Sequence, residues 1–241
     1  MTSVALVSAK GSPGVTTLAC AMVLARADSG AVLIEADQHG GDLALHHGVA
    51  HAPGLTELAA RAKRTTPGGD LLSPYLRPLA GGLLPAVIAP VDGGAVRAAL
   101  SVLCDRADLL ADADDTRTPV FDLGRAEPDS PGWMWLAACD HVLLVCRTDL
   151  TGLAHAAHLA EQLRDTMPAV ALALIDSGPY PPAEAEASLG LPLAGLVPFS
   201  PKQASAVTDH AAVHSAATSR LTAAAGQVLD SVLQHAEVPV P

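Results

Sequence analysis

Aromatic side chains are rare in this sequence, where Phe, Trp and Tyr together account for 2% of 241 residues. Surfaces that bind RNA or single-stranded DNA stack bases on aromatic rings, so this scarcity argues against such a surface. Positive charge is scarce as well, since 14 Lys and Arg are outnumbered by 25 Asp and Glu and the formal net charge is −11. A protein that binds a phosphate backbone needs clustered positive charge. We therefore expect no direct nucleic-acid partner.

Paired cysteines and long apolar runs are also missing. None of the four cysteines forms a CxxC pair, which argues against a zinc site, and Cys20, Cys139 and Cys146 lie in apolar runs that predict burial. No apolar run approaches the ~20 residues that span a bilayer. The C-terminal apolar stripe carries one fixed positive charge, Arg220, unlike a membrane-surface helix. With no signal-peptide pattern at the start, we expect a cytoplasmic protein without membrane insertion.

Half of the residues are apolar, and they form short runs that alternate with longer helical patterns. Strands that are apolar throughout and separated by helices are typical of a parallel sheet covered on both faces. The sequence therefore predicts an α/β fold, a three-layer sandwich with helices flanking a mostly parallel central sheet, in one domain over residues 1–241. The predicted strands are 4–8, 31–36, 82–89, 119–123, 141–146, 170–175 and 193–197. The predicted helices are 16–27, 55–64, 94–110, 150–166, 183–189 and one long C-terminal helix, about 211–235, packed on the body of the domain.

A glycine-containing loop follows the first predicted strand and opens the first helix, which is the context of a phosphate-binding loop. Glycines let backbone N–H groups approach an anion, and the helix N-terminus faces the same point. Pro13 fixes its own φ angle and removes one N–H donor from the loop. The predicted nucleotide-binding residues of this loop are Lys10, Gly11, Ser12, Pro13, Gly14, Val15, Thr16 and Thr17.

The segment from Lys10 to Thr17 resembles the deviant Walker A motif, KGGxGK[ST]T, of the MinD/ParA family of P-loop NTPases, which belongs to the SIMIBI class. In that family the first lysine reaches across a homodimer to the partner's nucleotide, and Lys10 matches it. The second lysine neutralises the β- and γ-phosphates, and Val15 occupies its position. Thr16 matches the hydroxyl that ligates magnesium. The resemblance implies a homodimer that binds ATP or ADP with Mg²⁺.

The valine at position 15 weakens the implied phosphate contact. A charge-assisted hydrogen bond contributes about 1.5–3 kcal/mol, so its loss lowers affinity about tenfold to a hundredfold. Phosphoryl transfer depends on preorganised cations, so hydrolysis loses more than binding does. Weak nucleotide binding, no useful binding and residual hydrolysis all stay compatible with the sequence, and an efficient ATPase is not expected.

Acidic positions extend the resemblance along the chain. The second predicted strand resembles the family's strand ending in DxD, with Glu35 at the first aspartate and Asp37 at the second, which positions the attacking water or the waters of magnesium. Asp122 matches the Walker B aspartate, which holds the magnesium shell. Asp176 stands where the family has an asparagine that reads the adenine, and it lacks the amide donor. The resemblance implies Asp37 as the catalytic residue of an active enzyme, and Thr16, Asp37 and Asp122 as the magnesium residues.

A narrower resemblance rests on residues 9–17, on 35–37 followed by Gly-Gly-Asp-Leu-Ala, and on 179–184. Together they resemble an actinobacterial branch of MinD-like proteins related to TadZ/CpaE, which are polar localisation factors of tight-adherence pilus or type II/IV secretion machinery. This implies a pseudo-ATPase or weak nucleotide binder that acts as a dimeric scaffold with a protein partner. The alternative is an active ParA/MinD-type positioning or partitioning ATPase in which Lys10, supplied in trans, replaces the missing lysine. A metabolic synthetase or amidase would need a substrate-binding insertion and the phosphate lysine, and the sequence shows neither.

Two further groups of residues have a functional and a structural interpretation. Four histidines follow the second predicted strand, namely His39, His46, His47 and His51. They could converge on a metal, but a polar surface loop and helix is the simpler interpretation. Trp133 and Trp135 follow the Walker B strand and predict either an exposed anchor for a partner or ordinary core packing.

Overall fold

The computed structural model describes residues 2–10, 13–66, 70–107, 117–167, 169–208 and 213–235. The strands are β1 (Val4–Ser8), β2 (Ala31–Glu35), β3 (Arg77–Leu79), β4 (Leu84–Val87), β5 (Thr118–Arg125), β6 (His141–Arg147), β7 (Val170–Asp176) and β8 (Leu193–Pro198). They form one sheet in the order β3-β4-β2-β5-β1-β6-β7-β8. The short edge strand β3 runs antiparallel to β4, and the other paired strands are parallel.

Helices cover both faces of this sheet. They are α1 (Val15–Arg26), α2 (Leu43–His47), α3 (Leu55–Ala62), α4 (Gly93–Cys104), α5 (Pro131–Ala138), α6 (Leu150–Thr166), α7 (Pro182–Leu189), α8 (Pro201–Thr208), α9 (Val213–Ala217) and α10 (Arg220–His235). Alternate residues of β1 enter two separate cores: Ala5 and Val7 pack with α3 to α7, whereas Val4 and Leu6 pack with α1, α2 and α8 to α10. The predicted three-layer α/β sandwich with a mostly parallel sheet is confirmed, and its cause is that the central strands are apolar on both faces.

The strand order places a crevice at the carboxyl ends of the central strands. β1 lies between β5 and β6, and its last residue, Ser8, pairs with Arg125 at the end of β5. On the next strand, Glu35 of β2 pairs with Asp122 of β5. From β1 the chain continues to β2, which lies on one side of β1 in the sheet, whereas β6 lies on the other side. The loops that follow β1 and β6 therefore lead in opposite directions and leave a crevice above β1. Open α/β sheets bind ligands at such a switch point.

The prediction of one long C-terminal helix was wrong. Of the predicted range 211–235, the described part forms two helices, α9 and α10, and residues 211 and 212 lie outside the described residues. Ser219 starts the second helix, because its hydroxyl accepts the N–H of Thr222 at 3.2 Å in the manner of an N-cap. The packing of α10 against α1 includes an ion pair between Arg26 and Asp230, with Nε of Arg26 2.8 Å from Oδ1.

Other differences from the predicted elements involve short segments. Helix α4 ends at Cys104 rather than at 110, and residues 108–110 lie outside the described residues. The strand β3 and the helices α2, α5 and α8 were not predicted. Helix α5 begins where the hydroxyl of Ser130 accepts the N–H of Trp133 and a proline follows at the first helical position. Among the described residues, no helix is both long and apolar enough to cross a membrane.

Candidate functional site

A cavity of about 720 Å³ lies above the carboxyl end of β1. Its walls are the start of α1, the loop after β2, the ends of β5, β6 and β7, and the segment from Val197 to Pro201. The volume is within the range of about 300–1,000 Å³ that small-molecule and cofactor sites have. The predicted phosphate loop therefore opens onto a cavity of nucleotide size.

Gly14 shapes the helix N-terminus that faces this cavity. It precedes α1 with φ 107° and ψ 32°, in the left-handed region, and no side chain caps the helix there. An added Cβ would meet nothing within 4 Å, so glycine is required by backbone conformation rather than by space. The three residues that follow, Val15, Thr16 and Thr17, line the cavity. An uncapped helix N-terminus in this position suits an anion.

The remaining loop residues are placed differently. Pro13 lines the main cavity, whereas Gly11 and Ser12 lie outside the described residues. Lys10 lines a second cavity of about 530 Å³ on the side of α6, where its Nζ is 3.5 Å from Nε2 of His155. Lys10, the first lysine of the motif, is therefore among the described lining residues of the second cavity and not of the main one.

The three predicted magnesium residues are brought together. The hydroxyl of Thr16 lies close enough to the carboxyl of Asp122 to lower the pKa of that carboxyl, and a Cβ added to Gly124 would lie 1.9 Å from Oδ2 of Asp37. Asp122 also accepts the N–H of Gly124 at Oδ1, at 3.1 Å. The pKa of Asp122 is raised to about 6, chiefly by burial and also by the nearby charge of Asp37, although Thr16 and the N–H of Gly124 act to lower it.

These oxygen donors suit Mg²⁺ better than a metal that protein side chains alone would coordinate. A hydroxyl and carboxylates are hard oxygen ligands, and Mg²⁺ keeps several waters while using one or two carboxylates together with substrate phosphates. Within the described part of the chain, no group of three or more His, Cys, Asp or Glu side chains is arranged to hold a metal ion. Thr16, Asp37 and Asp122 would therefore hold magnesium only together with water and phosphate oxygens.

His39 fixes the orientation of Asp37. Its backbone N–H and its ring Nδ1 both lie 2.9 Å from Oδ1 of Asp37, and its Nε2 lies 3.1 Å from Oε1 of Glu127. The sequence analysis grouped His39 with other histidines and missed this contact. The signal was available, because an aspartate commonly accepts hydrogen bonds from the residue two positions later. Asp37 is consequently held at the cavity wall, between His39 and Gly124.

Glu35, at the first acidic position of the DxD-like strand, is directed elsewhere. It is buried, and its Oε1 accepts the N–H groups of Asp42 at 2.8 Å and Leu43 at 3.0 Å, while Oε2 accepts that of Ala89 at 2.9 Å. The pKa of Glu35 is raised to about 7, chiefly by burial, even though the three N–H donors act to lower it. Glu35 therefore connects the start of α2 to the segment after β4 and is absent from the described lining of the main cavity.

The predicted adenine-reading residue also lies outside the described lining. Asp176 is the exposed last residue of β7, and Ile175 lines the cavity instead. On the adjoining wall, the guanidinium of Arg147 lies 5.2 Å from the ring centroid of Phe199, which is 47% exposed. A role of Asp176 in base selection remains a prediction. The sequence analysis missed Arg147 and Phe199, together with Arg125 of the same cavity.

Both tryptophans pack in or against the core. Trp135 is buried and meets Phe121 edge to face with the ring centroids 5.2 Å apart, and Trp133 is partly buried against the same core, so the core interpretation is correct. Surface positions were the simpler interpretation for the histidines, but His47 is buried.

Comparisons with known proteins give the fold and no sequence family. No protein-family model and no curated protein matches the sequence. Solved structures do match over nearly the whole chain. A ParA family ATPase from Chlorobium tepidum aligns with a TM-score of 0.73 and 19% identity, covering 96% of this chain and 97% of that one. The septum site-determining protein MinD of Pyrococcus horikoshii, complexed with Mg-ADP, aligns with a TM-score of 0.75 and 17% identity over 98% and 97%.

A third similar structure contains a nucleoside triphosphate. The ATP complex of a McdA variant from Cyanothece aligns with a TM-score of 0.64 and 14% identity, covering 100% of this chain and 98% of that one. These likenesses establish a ParA/MinD-type P-loop NTPase fold for the chain.

Proposed function

We propose that this chain is a MinD/ParA-like protein that binds ATP or ADP with Mg²⁺ weakly and hydrolyses ATP inefficiently. The observation that carries the proposal is one cavity lined by an uncapped helix N-terminus, Thr16 and Asp37, with the buried carboxyl of Asp122 close to both of these side chains. That arrangement offers N–H groups and a helix dipole for phosphates and hard oxygen ligands for magnesium.

The structural neighbours support a nucleotide as the ligand. The MinD structure contains Mg-ADP, the McdA variant contains ATP, and a putative plasmid partition protein of Borrelia burgdorferi contains AMPPNP. The last aligns with a TM-score of 0.66 and 12% identity.

Val15 is the reason to expect weak binding. It is the first residue of α1, only 5% exposed, and lies in the cavity wall. An aliphatic side chain there gives the phosphates no counter-charge, which lowers affinity about tenfold to a hundredfold relative to a lysine. Catalysis loses more, because charge on the transferring phosphoryl group needs a preorganised cation.

The protein is proposed to act as a homodimeric scaffold. Lys10 is exposed and directed toward the second cavity, beside Leu150, which is 68% exposed. This geometry supports a lysine that meets the nucleotide of a partner subunit, as the sequence resemblance implies. The same geometry favours the alternative function, an active ParA/MinD-type positioning or partitioning ATPase in which Lys10 acts in trans.

The wider role follows from the narrower sequence resemblance. We propose a cytoplasmic localisation factor of the TadZ/CpaE type, with a protein partner in a pilus or type II/IV secretion apparatus. A similar fold is seen in a MinC:MinD complex of Aquifex aeolicus, where the MinD-type fold binds a protein partner.

Calorimetric titration of the purified protein with ATP and Mg²⁺ tests the function. The proposal predicts binding that is measurable but weak, with ATP hydrolysis near background. Tight, micromolar binding with hydrolysis well above background would favour the active ATPase, and no detectable binding would reject the nucleotide site. Sedimentation with and without ATP tests the dimer, which a strict monomer at high concentration in both conditions would contradict.

A further inference from the structure

Two arginines end the strands that flank the phosphate loop. Arg125 is the last residue of β5 and Arg147 the last residue of β6, and both line the main cavity. Since β1 lies between β5 and β6, the loop that follows β1 has one arginine on each side. The sheet order thus places an arginine on each side of β1, and both arginines line the cavity that the N-terminus of α1 faces.

These side chains stand where positive charge is otherwise missing. Val15 contributes none, and Lys10 lines the second cavity rather than the main one. Among the described lining residues of the main cavity, the fixed charges are Arg125, Arg147 and the carboxylate of Asp37. A bound polyphosphate carries several negative charges and needs cations near them. Arginine suits phosphate oxygens, because its planar fork donates two parallel N–H bonds.

Arg147 is the better placed of the two. Arg125 is 52% exposed on its side chain and lies 3.5 Å from a carboxylate oxygen of Glu127, so its guanidinium is directed toward solvent and toward that carboxylate. Arg147 is only partly exposed, and its guanidinium lies 5.2 Å from the centroid of the Phe199 ring, which also lines the cavity. Contact with a ring face favours one orientation of the guanidinium. Arg147 also borders both cavities together with Pro13 of the loop.

We propose that Arg147 binds the phosphate groups of a nucleoside di- or triphosphate in this cavity and supplies the positive charge that Val15 cannot. The inference rests on the nucleotide site proposed above and adds to it a residue outside the phosphate loop. The cation that binds the phosphates then lies at the end of β6 and not in the phosphate loop, and the Phe199 ring orients it.

The test compares Arg147→Gln with wild type, using Arg64→Gln as the control. Arg64 is exposed and is not among the described lining residues of either cavity. ATP, ADP and inorganic tripolyphosphate are titrated by calorimetry, and adenosine binding is followed by saturation-transfer NMR. Arg147→Gln is expected to weaken the three phosphate ligands about tenfold to a hundredfold, the effect of losing a charge-assisted contact. Adenosine should bind the same, and Arg64→Gln should match wild type throughout.

Three further variants test the inference, two of them even if Arg147→Gln does not fold. Phe199→Leu removes the stacking ring and should weaken ATP about two- to fivefold, the range expected for a cation–π contact. Arg147→Lys should fall between wild type and Arg147→Gln. Adding Val15→Lys to Arg147→Gln should restore ATP binding, since the two cations then substitute for each other.

The possible results separate this inference from the proposed function. If Arg147→Gln binds ATP as wild type does, the inference is overturned and the nucleotide site stands. If Arg147→Gln weakens adenosine as much as ATP, the arginine acts on the nucleoside and the inference also falls. If the wild-type chain binds neither ATP nor tripolyphosphate, the inference and the proposed function fall together.

Discussion

The buried carboxyl group of Glu35 should make the stability of the protein depend on pH. The substitution Glu35→Gln keeps the side-chain volume but replaces one carboxylate oxygen by an NH₂ group. The carboxyl group accepts three backbone N–H groups, two at Oε1 and one at Oε2, and it keeps acceptor lone pairs on both oxygens when it is protonated. In the variant at least one of these donors, most simply that of Ala89, faces another donor. A buried donor without an acceptor costs about 1–3 kcal/mol, and this is the destabilisation expected at pH 5.

The wild type itself changes between pH 5 and pH 8. Burial raises the pKa of Glu35 from 4.5 to about 7. A carboxyl group whose pKa is higher in the folded than in the unfolded protein contributes its full stabilisation when the pH is below its unfolded-state pKa. This contribution is lost as the pH rises through its folded-state pKa. At 1.36 kcal/mol per pH unit, the difference amounts to about 3 kcal/mol of stability lost above pH 7. Glutamine does not titrate, so the Glu35→Gln variant does not lose this stability as the pH rises.

The cost of Glu35→Gln should therefore shrink by about 2 kcal/mol between pH 5 and pH 8, and the variant should become nearly as stable as wild type. Urea unfolding followed by far-UV circular dichroism at several pH values measures this difference. Glu57→Gln is a matched control, because Glu57 also accepts a backbone N–H, that of Gly54, at 2.8 Å. Burial raises the pKa of Glu57, but its hydrogen bonds lower it below the ordinary value overall, so the cost should stay constant above pH 5. A constant cost for Glu35→Gln would refute the argument.

Three further predictions concern the cavity. Val15→Lys should tighten ATP binding about tenfold to a hundredfold by calorimetry, and an unchanged affinity would show that position 15 does not face the phosphates. Gly124→Ala should lower the thermal midpoint and weaken Mg²⁺-dependent binding, because φ is +61° and the new Cβ would lie 1.9 Å from Oδ2 of Asp37; wild-type values for both would place Asp37 elsewhere. The Mg²⁺ enhancement of ATP binding should fall as the pH drops through about 6, where the buried Asp122 protonates, and an enhancement unchanged down to pH 5 would remove Asp122 from the metal site.

The sequence predicted the layers of the fold more reliably than its ends. Strands such as β1 and β2 are buried along their whole length, so their apolar runs identified them without knowledge of the neighbours. The C-terminal pattern failed because its apolar spacing continues across the Ser219 cap that separates α9 from α10. The strand β3 was missed because it has three residues, one of them proline, and pairs only at the sheet edge.

The site was predictable where chain order alone brings residues together. Thr16 and Asp37 come after β1 and β2, and Asp122 lies near the carboxyl end of β5. The parallel sheet brings these three strand ends to the same crevice. A sequence motif does not show which way a side chain points. Glu35 was therefore matched to the first aspartate of the DxD-like strand, although its carboxyl group binds the backbone of a neighbouring loop. Arg147 was invisible for another reason, since its place beside the phosphate loop depends on β6 lying next to β1.

The departures of this chain from the resembled motif therefore have different physical meanings. Glu35 belongs to the loop architecture, because its carboxyl is fixed by three backbone groups away from the cavity. Val15 removes a cation from the cavity wall, while Arg147 and Arg125 bring two others to the same wall. The same cavity is lined by an arginine that lies over the Phe199 ring and by Thr16, whose hydroxyl is close to the carboxyl of Asp122. Under the proposed function, positive charge that lies on the cavity wall and not in the phosphate loop would favour holding a nucleotide over hydrolysing it.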